Sequence, residues 1–139
     1  MIFWDASALV PLFLVQPVSA ELERAIGETM PVAVWWGSVV ECWSAFARVR
    51  REGVIKHDEE GEARQRFEEF RRRCDEVLPS DEVRRLAGTL LLRHPLRAAD
   101  SLQLSAALIY AGTPATGEFY SLNERLKEAA RLEGLTPRP

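Results

Sequence analysis

The sequence predicts a three-layer α/β/α fold built on a central parallel sheet of four to five strands. Three observations lead there. Short apolar runs are separated by longer segments of helical period, strand-like and helix-like stretches alternate, and 139 residues suffice for one domain spanning 1–139 with a buried core. Alternation of this kind sets parallel strands side by side with helices covering both faces.

Each element follows from its residues. Met1 to Trp4 reads as a short buried strand. Ala8 to Gly27 reads as helix, interrupted by Pro11 and Pro17 and closed by Gly27. Its main stretch sets Val18, Leu22, Ala25 and Ile26 on one face. Pro31 introduces a second buried strand, Val32 to Trp36. Ser38 opens a helix that runs to Arg51 or Glu52 and stops at Gly53. A charged helical segment, His57 to Arg73, has Phe67 and Phe70 as its main apolar contacts. Glu76 to Pro79 is a third strand cut short by its proline. Another helix starts at Ser80 and runs to about Arg93, where His94-Pro95 breaks the chain. Leu96 to Tyr110 reads as a helix apolar around most of its circumference. Glu118 to Leu122 is a fourth strand, Asn123 to Glu133 a last helix closed by Gly134, and Leu135-Thr136 a short final strand.

Composition narrows the function classes. A net charge of −3 argues against a general nucleic-acid binder. Hydrophobic content of 47% with 28% charged residues marks a globular chain. No apolar run approaches the ~20 residues of a membrane helix. No basic segment precedes the apolar start, so no export signal is expected and a cytoplasmic location is. In that compartment Cys42 and Cys74 are expected as reduced thiols. His57 and His94 stand apart, and no Cys/His spacing suits zinc.

Three acids stand in apolar settings. Asp5 ends the first strand, Glu41 lies in Val39-Val40-Glu41-Cys42-Trp43, and Asp100 shares a helical stripe with Leu96, Leu104 and Ala107. A carboxylate there needs a partner or a metal. Asp5 falls just past the first strand, Glu41 in the first turn after the second, and Asn123 just past the fourth. Parallel sheets form their sites at that edge. Clustered carboxylates repel one another, and a divalent cation reverses the repulsion. Oxygen donors select Mg2+ or Mn2+ over zinc, and such ions support phosphodiester hydrolysis. Each acid also has a structural role open to it. Asp5 and Asn123 are good helix N-caps, Ser38 and Glu41 fit a capping box, and Asp100 has Arg97 three residues before it.

Four motifs resemble the PIN domain, and in particular the VapC-type toxins of bacterial toxin–antitoxin systems. They are Asp5-Ala-Ser-Ala-Leu9, Trp35-Trp36-Gly-Ser-Val-Val-Glu41-Cys-Trp-Ser-Ala-Phe46, Leu96-Arg-Ala-Ala-Asp100-Ser-Leu-Gln-Leu-Ser-Ala106 and Phe119-Tyr-Ser-Leu-Asn123-Glu-Arg-Leu126. The resemblance covers essentially the whole chain. It implies a five-stranded parallel sheet between helices and a magnesium- or manganese-dependent ribonuclease. The family's metal-holding acids map onto Asp5 and Asp100, its helix-borne glutamate onto Glu41, and the supporting hydroxyl onto Ser7. The fourth acid, in a Thr-x-Asp pattern, maps onto Asn123 in Ser121-Leu-Asn123. Asparagine keeps an oxygen but removes a charge, which bears on a second metal.

The expected function is therefore a metal-dependent endoribonuclease acting as the toxin of a toxin–antitoxin pair. Its partners would be RNA and a cognate antitoxin. A homodimer through Trp43 or Phe46 is a further expectation. Arg48 and Arg51, with Arg50, are candidate phosphate contacts, although cations at a helix C-terminus also complement its dipole. The alternative is a catalytically weak PIN-fold module that binds a protein partner, with Asn123 as the mark of lost activity.

Overall fold

The computed structural model describes all 139 residues. Five strands pair in the order β3-β2-β1-β4-β5, all parallel. They are β1 (Ile2–Trp4), β2 (Ala33–Trp35), β3 (Asp75–Val77), β4 (Glu118–Tyr120) and β5 (Thr136–Arg138). Between them run α1 (Ala6–Leu9), a 3-10 turn at Val10–Leu12, α2 (Ser19–Thr29), α3 (Ser38–Arg51), α4 (His57–Arg71), α5 (Asp81–Arg93), α6 (Ala98–Ala111) and α7 (Glu124–Leu132). The chain enters at the centre of the sheet, builds outward to β3, then crosses back to place β4 on the other side of β1. The direction of winding reverses at the β1/β4 pair, where an open parallel sheet leaves a crevice.

Alternation along the strands divides the core in two. Phe3, Ala33, Trp35 and Phe119 face the layer of α5, α6 and α7. Trp4, Val32, Val34 and Tyr120 face α1 through α4. Across β1 and β4, Phe3 stacks on Phe119 at 5.7 Å and Trp4 on Tyr120 at 4.3 Å. Phe13, Phe46, Phe67 and Phe70 meet mostly edge-on beneath the second face and join the 3-10 turn, α3 and α4.

Several boundaries differ from the sequence expectation. The segment from Ala8 to Gly27 is two helices, because Pro11 sits in the 3-10 turn and residues 13–18 form a connection. Gly27 does not end α2, which continues to Thr29. The third strand begins at Asp75, and Pro79 lies beyond its end. The fourth strand stops at Tyr120. The final strand is Thr136–Arg138 and carries Pro137, which an edge position tolerates. Phe46 is fully buried and therefore closed to the homodimer contact expected of it, whereas Trp43 is half-buried under the Arg64 guanidinium, 4.6 Å from its ring centroid. No helix is long and apolar enough to cross a membrane.

Candidate active site at the carboxyl edge of the sheet

The site starts from the backbone. The Asp5 N–H bonds the Tyr120 carbonyl at 3.0 Å, which extends the β1/β4 ladder one residue past the strands. The chain then turns into α1 with Asp5 as N-cap. Asp5 as a whole is 3% exposed. One oxygen accepts from Ser7 Oγ at 2.6 Å and Ala8 N at 3.2 Å, and the other from Ser121 Oγ at 3.0 Å. Capping and a buried polar network thus coincide at Asp5. Burial pushes its pKa up to about 6 against the opposing hydrogen bonds of Ser7, Ser121 and Ala8.

The two serines stitch β1 to β4. Ser7 Oγ accepts from Leu122 N at 2.8 Å, and Ser121 Oγ accepts from Asn123 N at 3.0 Å. Each hydroxyl therefore donates to Asp5 and accepts from the loop after β4. Asn123 caps α7 through its carbonyl, which accepts from Leu126 N at 3.2 Å. That bond fixes the amide orientation, and Nδ2 donates to Asp100 Oδ1 at 3.2 Å. Asn123 so presents a donor to the acids, and its oxygen is turned toward the helix cap.

Asp100 is half-buried in the first turn of α6. Its second oxygen accepts from Arg97 N at 3.3 Å, a capping contact rather than the side-chain pairing with Arg97 that was the structural alternative. The expected apolar stripe is shorter than its spacing suggested. Leu96 precedes the helix, which begins at Ala98, so the stripe starts at Asp100 and enters the core at Leu104 and Ala107.

Glu41 does not form the capping box expected with Ser38. Gly37 takes the N-cap position without a side-chain bond, which puts Ser38 one residue inside α3. Both side chains turn instead to Gln103 of α6, whose amide nitrogen donates to Ser38 Oγ at 2.9 Å and to Glu41 Oε2. The Glu41 carboxyl is pushed up to about 7, first by burial, against the Gln103 hydrogen bond and then with repulsion from Asp5 and Asp100. That repulsion places the three acids in one electrostatic neighbourhood.

No salt bridge reaches Asp5, Glu41 or Asp100. No three acidic, histidine or cysteine side chains close on a single point that would chelate an ion. Hard oxygen donors without a cationic partner suit Mg2+ or Mn2+. Mg2+ is commonly bound by one or two carboxylates with waters completing the shell, so the donor chemistry of Asp5 and Asp100 is compatible with it without a three-acid chelate. Both thiols are free, and burial pushes that of Cys42 upward and that of Cys74 to about 12, so neither is a ready nucleophile. Arg48 and Arg51 lie exposed in the last turn of α3, and Arg50 pairs with Glu60 at 3.2 Å. At 1.5 Å per residue, Arg48 and Arg51 stand about 10–15 Å along the helix from Glu41.

Ser121 and Gln103 belong to the site but were not among its expected residues. Ser121 was visible in the Ser-x-Asn pattern after β4. Gln103 carried one signal, a polar residue in the most apolar helix of the chain.

No family model matches the chain, and no curated protein does. Solved structures do. A toxin–antitoxin complex from Klebsiella pneumoniae aligns with a TM-score of 0.69 at 15% identity, over 98% of this chain and 96% of that one. FitAcB from Neisseria gonorrhoeae gives 0.69 at 14% identity over 98% and 96%. VapC20 of Mycobacterium tuberculosis, a toxin that cleaves the sarcin–ricin loop, gives 0.64 at 19% identity over 93% and 95%. The sheet order, the helical layers and these alignments agree, and the fold of this chain is the PIN-like fold of VapC-type toxins.

Proposed function

We propose that the chain is a metal-dependent endoribonuclease and the toxin of a toxin–antitoxin pair. The observation that carries this reading is the buried Asp5 carboxylate at the β1/β4 crevice, grouped with Glu41 and Asp100 and lacking any basic partner. Such a group destabilises the fold unless a cation joins it. Asp5 and Asp100 would hold the ion. The chemistry supplied by bound Mg2+ or Mn2+ is neutralisation of a phosphodiester and acidification of a water. Glu41, held beside the other two acids by Gln103, is suited to take a proton from that water. Ser7 and Ser121 fix the Asp5 oxygens, and Asn123 fixes Asp100. Trp36, half-exposed where β2 leads into α3, offers a flat face on which an RNA base can stack. The likeness to toxin–antitoxin structures supports an antitoxin as partner. An arginine inserted by that antitoxin would pair with the acids and compete with metal.

A second reading, a PIN-fold interaction module without activity, is favoured by the donor that Asn123 presents and by the absence of a preassembled three-carboxylate chelate. One experiment separates the two. Purified protein is titrated with Mn2+ calorimetrically and assayed on RNA with and without chelator. The nuclease reading expects binding, cleavage only with metal, and loss of most cleavage in Asp5→Asn and Asp100→Asn with both variants still folded. Cleavage that survives chelation defeats the mechanism, and absence of both binding and cleavage leaves the interaction module.

A further inference from the structure

Gln103 is 2% exposed and sits one turn into the core from Asp100 on α6. Its amide nitrogen donates to Ser38 Oγ at 2.9 Å and to Glu41 Oε2, while its own carbonyl oxygen is buried with no partner. An unpaired buried carbonyl destabilises a fold. Methionine or leucine would fill the same volume between α3 and α6 without that cost. A polar group kept where an apolar one packs better points to a task outside stability. Glu41 supplies the task. Unrestrained, its carboxylate would favour solvent, since burial and repulsion from Asp5 and Asp100 oppose its charge where it stands. Both donors of Gln103 are committed to preventing this, one on the carboxylate and one on Ser38, which anchors the amide plane to the first turn of the same helix as Glu41.

We infer that Gln103 is a positioning residue that holds the Glu41 carboxylate toward Asp5 and Asp100 through its Ser38-anchored amide. The assignment rests on the nuclease reading for its consequence in activity, but not for its geometry.

The test uses Gln103→Met, which preserves volume and removes the donors, and Gln103→His, which restores a donor. Crystal structures of the metal-free wild type and Gln103→Met are compared first. The expected result is Glu41 ordered toward Gln103 in the wild type and displaced or disordered in the variant, with the melting temperature of the variant equal or higher. Mn2+ titration follows. It should show near-wild-type affinity, since Asp5 and Asp100 hold the ion, whereas RNA cleavage by Gln103→Met should fall by about 10–100-fold, with kcat reduced more than KM is raised. Gln103→His should recover part of it. In a Glu41→Gln background the Gln103→Met substitution should have no further effect on the residual cleavage rate, because the residue acts through Glu41. A Glu41 that keeps its place in stable Gln103→Met overturns the inference, as do effects that multiply in the double variant. If Glu41 is displaced but the wild type neither binds Mn2+ nor cleaves RNA, the positioning stands and the nuclease reading fails.

Discussion

Asn123 carries the sharpest departure from an all-acid site. As N-cap of α7 it could be replaced by aspartate with little change, since both residues cap well. Toward Asp100 the two differ in sign: asparagine donates a hydrogen bond, whereas aspartate would bring a second negative charge. Asn123→Asp should therefore lower the melting temperature of metal-free protein and tighten Mn2+ binding. Thermal melts with chelator and a calorimetric titration measure both, and equal affinities would remove position 123 from the site. A pH effect belongs to the same scale. The folded Asp5 and Glu41 carboxyls, at about 6 and about 7, hold protons more readily than the unfolded chain does. Stability is then highest below pH ~4 as far as these groups are concerned, and falls as pH rises through the folded values. For Asp5 the penalty at neutral pH is at most about 3 kcal/mol. With chelator, the wild type should lose melting temperature between pH 5 and 7.5 relative to Asp5→Asn, and Mn2+ should recover it at pH 7.5. A difference between the two proteins that does not change with pH would show that Asp5 is not a strained anion. Asp5, Glu41 and Asp100 were legible in the sequence because an isolated acid in an apolar run is unusual. Their hydrogen-bond partners were not, because Ser38–Gln103 and Asp5–Ser121 contacts join residues 65 and 116 positions apart.

Elements determine how well the site is held. The aromatic group under α3 and α4 fixes the helix that carries Glu41. Phe67 is 1% exposed and touches Phe13, Phe46 and Phe70. Truncation of a buried phenylalanine costs about 3–5 kcal/mol, and Phe67→Ala should show it in urea unfolding. A loss under 1 kcal/mol would mean that the site collapses readily and that these rings do not clamp the layer. Gly117 leads into β4 at φ +132, and a Cβ there would meet the Met1 carbonyl oxygen at 2.3 Å. Gly117→Ala should shift β4 against β1, lower the melting temperature and weaken Mn2+ binding together, since Ser121 rides on β4. β1, β2 and β4 were readable from their apolar runs, apart from their ends, whereas β3 and β5, Asp75–Val77 and Thr136–Arg138, carry too few apolar residues to be bounded that way. Most helix starts were readable as well, with α3 and α4 beginning at Ser38 and His57 and α5 and α7 capped by Ser80 and Asn123, but the cap of α3 was not: whether Ser38 or Gly37 caps it decides where the Ser38 hydroxyl points, and the Ser-x-x-Glu spacing suits only the first of these.

At the scale of the whole molecule, the order of winding assembles the site. Any parallel sheet that reverses between β1 and β4 brings the residues after those strands together, which is why Asp5 and Ser121 meet. The sequence announced the alternation of strands and helices but not the reversal, since short strands carry no label of their neighbours. The two rims of the sheet have a consequence for partners. In β5, Thr136 N bonds the Gly117 carbonyl and Arg138 O accepts from Ser121 N, so residues 136 and 138 face inward and Pro137 faces out. The only outward position of that strand thus has no N–H to offer. The opposite rim, β3, opens with Asp75 and Glu76. Both rims discourage an incoming chain from adding itself as a sixth strand. The proposed antitoxin would have to grip the helices and loops by side chains, so its affinity should depend on residue identity rather than on an extended backbone. Scanning the bound segment with N-methylated peptides should leave binding largely intact where side-chain truncations abolish it.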